Sequence, residues 1–195
     1  MKKLLIIVDM QNDFISGVLK NDNAELIVSK INDRIDEFIK DPEYKSEDKH
    51  IILTQDTHYN TTYNEMIEGQ ILPIHCVKGT DGHKIDERIV KHIIDNKYGR
   101  NAWTIEKENF GYIDWLNKLR VILDTPIEYL ENNGVEIELC GTCTSICVLS
   151  NAIILKALLP KCKISVNENL CACISEDSQR CAINSMELCQ INIIR

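Results

Sequence analysis

The stretch Lys3-Leu4-Leu5-Ile6-Ile7-Val8, running into Asp9-Met10-Gln11-Asn12-Asp13, decides the fold. Its apolar residues have no helical period and end abruptly at a polar cluster, the pattern of a strand buried on both faces. The apolar run from Leu4 to Val8 is only five residues long. A signal peptide needs about 7–15 such residues and a membrane helix about 20. The expectation is therefore a cytoplasmic protein with no membrane association.

Outward from that strand, Ile27, Ile31, Ile35, Phe38 and Ile39 share one face of a helix starting near Asn23, and Asp41-Pro42 stops it. A second buried strand spans 50–54 and ends at Gln55-Asp56-Thr57-His58; from there to about Gly82 the chain reads as loop. A short helix follows over 85–94, then a strand over 103–106, helical stretches near 112–120 and 124–133, and a strand over 135–140. The clearest helix carries Ile146, Leu149, Ile153, Ile154, Ala157 and Leu158 on one stripe, with Pro160 beyond it. A strand over 163–166, a helix over 175–189 and a strand over 191–194 close the chain.

Strands alternating with helices imply an α/β fold of three layers, a mostly parallel sheet with helices on both faces. No repeat, low-complexity tract or linker divides the sequence, so residues 1–195 read as one domain. The 195 residues are 44% hydrophobic and 27% charged, which argues against disorder, and carry a net charge of −8. Binders of nucleic acid or anionic membrane normally carry the opposite sign. Nine cysteines are an odd number for a disulfide framework, and most fall inside apolar patterns, so they read mainly as buried thiols.

In such folds ligands sit beyond the carboxyl ends of the strands. Asp9 to Asp13, Asp56 to His58 and Gly141 to Cys147 all lie there. Cys147, a few residues into a helix opening near Thr144 or Ser145, is the cysteine best placed to be a nucleophile, because helix N-termini favour a thiolate. Taken alone, it reads first as one more small core residue, and the context of the neighbouring motifs is what lifts it. Cys140-Gly141-Thr142-Cys143, with Cys147, also has the spacing of a redox pair or an iron–sulfur clip, but lacks a fourth ligand. Asp9 could cap a turn, or exchange a proton with a thiol in a dry cleft. Lys107 ends the 103–106 strand at the same edge of the sheet, where a solvated lysine is the plain alternative. Asp56 and His58, two residues apart in an extended segment, point the same way, and Glu68 and His75 follow; mixed nitrogen and oxygen donors suit zinc, manganese or iron(II).

Taken together, Asp9-Met10-Gln11-Asn12-Asp13-Phe14, Thr54-Gln55-Asp56-Thr57-His58, the 72–82 segment with His75 and Gly79, and Cys140-Gly141-Thr142-Cys143-Thr144-Ser145-Ile146-Cys147 resemble the isochorismatase-like cysteine hydrolases, most closely their nicotinamidase branch. The resemblance implies a six-stranded parallel sheet and a catalytic triad of Asp9, Lys107 and Cys147, with Lys97 a weaker rival for the lysine. It implies a cis peptide at Thr142–Cys143, which turns the Cys143 N–H toward an oxyanion beside that of Cys147. It also implies a divalent metal, zinc first with manganese or iron as alternatives, held by Asp56, His58 and His75, with Glu68 added in some relatives. Phe14 becomes a pocket wall, and Leu72 stands where nicotinamidases often carry an aromatic ring. Isochorismatases proper lack the nucleophilic cysteine, so the implied reaction is deamidation of nicotinamide to nicotinate. A hydrolase of another small amide or ureido compound, or a non-catalytic or redox protein, are the alternatives. The implied partner is a small-molecule amide, with no nucleic acid and no membrane; homo-oligomerisation is left open.

Overall fold

The computed structural model describes all residues from Met1 to Arg195. Six strands form one sheet: β1 (Lys2–Val8), β2 (Lys49–Asp56), β3 (Ala102–Lys107), β4 (Val135–Thr142), β5 (Lys163–Ala172) and β6 (Asn192–Ile194). The spatial order is β3-β2-β1-β4-β5-β6 and every pairing is parallel. Leu4 to Val8 are all buried, as are most residues of β2 and β4, so both faces of the central strands are covered. Continuous apolar runs are what such strands need, whereas alternation would leave one face wet.

The helices are α1 (Asn12–Ile15), α2 (Asp22–Lys40), α3 (Glu87–Asp95), α4 (Trp115–Ile122), α5 (Ile127–Tyr129), α6 (Leu149–Leu158) and α7 (Glu176–Leu188). The Asn21 side chain caps α2 by accepting from the Asn23 N–H, and Ile27, Val28, Ile31, Ile35 and Phe38 bury its core-facing stripe. Across the sheet surface Arg34 of α2 grips Glu138 of β4 at 2.6 and 2.9 Å, pairing the one acid that the central strand buries. No helix is long and apolar enough to cross a membrane.

Four elements differ from the sequence expectation. The stretch near 124–133 is not one helix: α5 is a single turn, and Asn133 takes a positive φ of 65° just before β4. The helix expected from 112 begins only at Trp115. β5 continues to Ala172, although Asn167, Glu168 and Asn169 interrupt its apolar run. The ladder with β4 breaks off after Val166 and resumes at Cys171, while Asn167 pairs with Ile194 of β6 and its side chain donates to Glu138. The segment expected as loop contains two short 3₁₀ turns, Tyr63–Glu65 and Glu68–Gln70.

Chain order reverses between β1 and β4: β2 and β3 lie to one side, β5 and β6 to the other. Such a switch point splays the connections leaving adjacent strands and opens a crevice at their carboxyl ends. A register shift in the β4–β5 ladder between Leu139 and Gly141 sets residues 167–170 of β5 opposite Cys140 alone. Gly141 has φ +117°, and a Cβ on it would collide with the Val8 backbone. The end of β4 thus lies close against the end of β1.

Candidate active site

Asp9 is the first residue beyond β1 and adopts a left-handed φ of 49°, which turns the chain sharply out of the strand. Its carboxylate is wholly buried. Thr54 holds it from both sides, its hydroxyl accepting from the Asp9 N–H at 3.2 Å and donating to Oδ1 at 2.7 Å. Oδ2 meets the Lys107 ammonium at 2.7 Å. Lys107, the last residue of β3, also lies 3.4 Å from Asp56 Oδ1 and 3.7 Å from the Cys147 sulfur. Asp56 and Lys107 are register partners across β2 and β3, so the sheet itself delivers this lysine. Lys97 is exposed in the turn after α3, with a positive φ of 59°.

The strand ends also explain the charge state. Burial raises the Asp9 carboxyl above its ordinary range, and Lys107 only partly opposes it. Burial works against the lysine charge too, but Asp9, Cys147 and Asp56 outweigh it, and Lys107 is held above its usual range. The Cys147 thiol is pushed well up, first by burial and then by Asp9 and Asp56, against the pull of Lys107. Burial beside two carboxylates thus works against the tendency of a helix N-terminus to favour the thiolate. The first turn of that helix, Thr144–Val148, is wide and places Cys147 inside the fold.

Asn151, four residues beyond Cys147, was not singled out by motif. Its amide donates to the Cys147 carbonyl at 2.8 Å and to the Phe110 carbonyl at 3.1 Å, and its oxygen accepts from the Tyr112 N–H and the Trp115 indole. One buried, fully satisfied side chain therefore ties the loop after Lys107 to the cysteine helix. The signal available beforehand was the i, i+4 spacing of a polar residue on an apolar stripe.

Asp56, His58, Glu68 and His75 converge, with donor atoms all within 4.8 Å of one another. Asp56 Oδ2 lies 2.9 Å from His58 Nε2 and 3.2 Å from His75 Nε2; Glu68 lies 3.8 and 3.6 Å from the same two nitrogens. His75 Nδ1 sits 2.9 Å from the Pro73 carbonyl, which leaves Nε2 facing Asp56 and Glu68. Gln11, also passed over by sequence reasoning, clamps the Asp56 backbone from both sides, at 2.7 Å to its N–H and 2.9 Å to its carbonyl. Burial and the Asp56 charge raise the Glu68 carboxyl. Two acids and two imidazoles pressed together from separate segments fit a small divalent cation, which would relieve that repulsion. Cys140, Cys143 and Cys147 form no comparable cluster; Cys140 is buried in the core instead.

Between the two groups lies a cavity of about 150 Å³. Asp56, Glu68 and His75 line one wall; Cys147, Thr142 and Cys143 line another. The Thr142–Cys143 peptide is cis, and the Cys143 N–H donates to no backbone carbonyl. Phe14 stands edge-on to His75 with ring centroids 5.5 Å apart, and Leu72, Leu19, Asn21, Phe110, Ile146 and Ile174 complete the lining.

An isochorismatase domain family model matches residues 3–195. An isochorismatase family protein of Bacillus subtilis is 27% identical over 157 residues, covering 78% of each chain. The nicotinamidase of Saccharomyces cerevisiae is 27% identical over 181 residues, covering 77% of this chain and 80% of the relative. Among solved structures, the pyrazinamidase of Pyrococcus horikoshii in complex with zinc superposes with a TM-score of 0.75 at 23% identity, over 100% of this chain and 99% of its own.

Proposed function

This chain belongs to the isochorismatase family, and from that premise we propose that it is a cysteine amidohydrolase that deamidates nicotinamide to nicotinate and ammonia. The observation that carries the reading is the buried chain Asp9–Lys107–Cys147, at 2.7 and 3.7 Å, opening onto a small cavity whose far wall is a metal-type donor cluster. Curated relatives include a nicotinamidase, which supports the same substrate class.

In this mechanism Asp9, a base with a raised pKa, takes the Cys147 proton as the sulfur attacks the amide carbonyl. Lys107 stays charged throughout and balances the anionic sulfur and carboxylate. The Cys143 and Cys147 N–H groups receive the developing oxyanion, each such donor being worth roughly 2.7–4 kcal/mol where it has been measured. Asp9 then returns its proton to the departing nitrogen, ammonia leaves, and a thioester remains on Cys147. Asp9 next takes a proton from the attacking water, and collapse of the second tetrahedral species frees the acid and the thiol. Asp56, His58, Glu68 and His75 would hold a divalent metal, which supplies a Lewis-acidic anchor for a ring nitrogen. Phe14 and Leu72 would flank the ring.

The test is an ammonia-release screen over small amides with zinc, manganese or iron(II) supplied, nicotinamide first. Nicotinate formation that disappears in Cys147→Ala, with far-UV circular dichroism unchanged, is the expected result. A second reading, hydrolysis of a different small amide or ureido compound, is favoured by Leu72, which offers no aromatic face to a pyridine. Good turnover of such a compound by metal-loaded protein that ignores nicotinamide would select it.

A further inference from the structure

β4 and β5 leave the sheet side by side, with Gly141 paired to Cys171 and Thr142 to Ala172. One more step along both chains brings Cys143 beside Cys173. Cys143 remains extended, at φ −87° and ψ 138°, and the two Sγ atoms lie 3.5 Å apart. The Ser145 hydroxyl stands 3.2 Å from the Cys173 sulfur and 3.6 Å from that of Cys143. Neither sulfur has a part in the proposed hydrolysis, which uses only the backbone N–H of Cys143.

We propose that Cys143 and Cys173 are a redox modification site, closing to a disulfide when a peroxide is the oxidant, and that closure disables the oxyanion end of the substrate pocket. Neighbouring strands run about 4.8 Å apart, inside the roughly 4.4–6.8 Å between Cα atoms that a disulfide spans. The sulfurs have only to close from 3.5 Å to about 2.05 Å. The pair is approached from two sides: the half-buried Cys143 lines the substrate pocket, and the buried Cys173 lies at the floor of an outer cleft with Ser175 and Gln179. Cys76, Cys140, Cys162 and Cys171 are buried as well, and Cys173 is set apart from them by its contact with the half-buried Cys143 sulfur. The proton is shared unequally between the two. Burial would push the Cys173 thiol up, but hydrogen bonds from Ser145 and Cys143 outweigh it and lower it, whereas burial leaves Cys143 raised.

The chemistry balances. The Cys173 thiolate attacks one peroxide oxygen and breaks the O–O bond, giving a sulfenic acid and hydroxide, which takes the Cys143 proton and becomes water. The Cys143 thiolate then attacks the sulfenic sulfur, forming the S–S bond and expelling hydroxide. That hydroxide takes up the proton Cys173 had released and leaves as the second water. Two thiols and one hydrogen peroxide thus yield one disulfide and two waters, a two-electron oxidation. Drawing the Cys143 side chain toward β5 displaces the residue whose N–H the oxyanion would use, and narrows the cavity beside Cys147.

The bond itself does not depend on the proposed hydrolysis; only its effect on turnover does. The full-length protein, loaded with zinc, which has no redox chemistry of its own, is treated with hydrogen peroxide, its free thiols are alkylated, and it is digested without reduction for mass spectrometry. The expected result is a linked peptide pair containing Cys143 and Cys173, with two of the nine thiols protected from alkylation. Amide hydrolysis should fall at least tenfold in step with the link and return with dithiothreitol. Cys173→Ser should form no link and keep its activity at the same dose. Absence of the linked pair, or inactivation that tracks oxidation of Cys147 and persists in Cys173→Ser, would overturn the proposal. A link that leaves turnover unchanged would overturn the effect on the pocket. Should no amide be hydrolysed at all, the linked pair still decides the modification site. Should Cys173→Ser fail to fold, peptide mapping of the wild-type protein decides it alone.

Discussion

Thr54 carries more of the site than its place inside an apolar strand suggests. Its single hydroxyl both receives the Asp9 N–H and donates to Oδ1, leaving Oδ2 as the oxygen beside Lys107. Thr54→Val keeps the shape and removes both bonds. A hydrogen bond to a charged group is worth about 1.5–3 kcal/mol, so kcat should fall roughly tenfold or more. KM should change little and Thr54→Ser should restore most of the rate. A merely structural role would move thermal stability and both kinetic constants together, which steady-state assays with a melting curve distinguish. The two lysines separate in the same way. Lys107→Met removes the cation between two buried acids, and turnover should drop by orders of magnitude. Lys97→Ala alters an exposed turn and should leave the rate within twofold. The reverse ranking in a kcat comparison would move the proposed triad.

Among the elements, β4 depends on a glycine and β2 on a neutral histidine. Gly141 lets β4 lie against the Val8 backbone. In Gly141→Ala the positive φ and the collision with backbone should cost about 2 kcal/mol or more, seen as a lower urea midpoint. Activity should fall as well, because the same close approach immediately precedes Thr142 and Cys143. At the start of β2, His50 is buried, and its pKa is lowered first by burial and then by the Lys2 charge. Its folded pKa thus lies below the unfolded value near 6.5, so the unfolded chain binds the proton first as pH falls. The contribution of neutral His50 is therefore complete above about pH 6.5 and is lost on acidification toward the folded value. In His50→Leu the decline of unfolding free energy between about pH 6.5 and 5 should be shallower than in the wild type. An identical slope, from urea titrations at each pH, would remove His50 from the acid sensitivity.

Over the whole molecule, the proposed metal cluster joins strand β2 to the 59–82 segment, whose only regular structure is two short 3₁₀ turns. A cation bound there at a hundredfold excess over its Kd should add about 2.7 kcal/mol of stability. For a chain of this size that corresponds to roughly 5–10 °C in Tm. Stripping the metal, verified by elemental analysis, should lower Tm by that amount and raise KM, or change KM and kcat together if the ring must be held in register with Cys147. His75→Ala should abolish the metal-dependent part of the Tm. Full nicotinamide turnover in a metal-free sample would defeat the proposed orienting role.

The sequence by itself determined the elements whose burial is one-dimensional. Unbroken apolar runs in β1, β2 and β4, a single stripe on α2 and the proline after α6 are local consequences of which residues can leave water, and they suffice for a parallel α/β sheet. The polar residues that end those strands were legible too, because the carboxyl edge of such a sheet is where polar side chains have a reason to gather. Only the tertiary structure decided which partners they meet. Lys107 stands beside Asp9 because β3 pairs with β2 in a register that no local pattern states, and β5 rejoins β4 at Cys171 after a register shift that none states either. The Cys147 thiol is pushed up, first by burial and then by Asp9 and Asp56, although it sits near a helix terminus. These outcomes depend on distance and dielectric in three dimensions, and the spacing of residues along a chain carries neither.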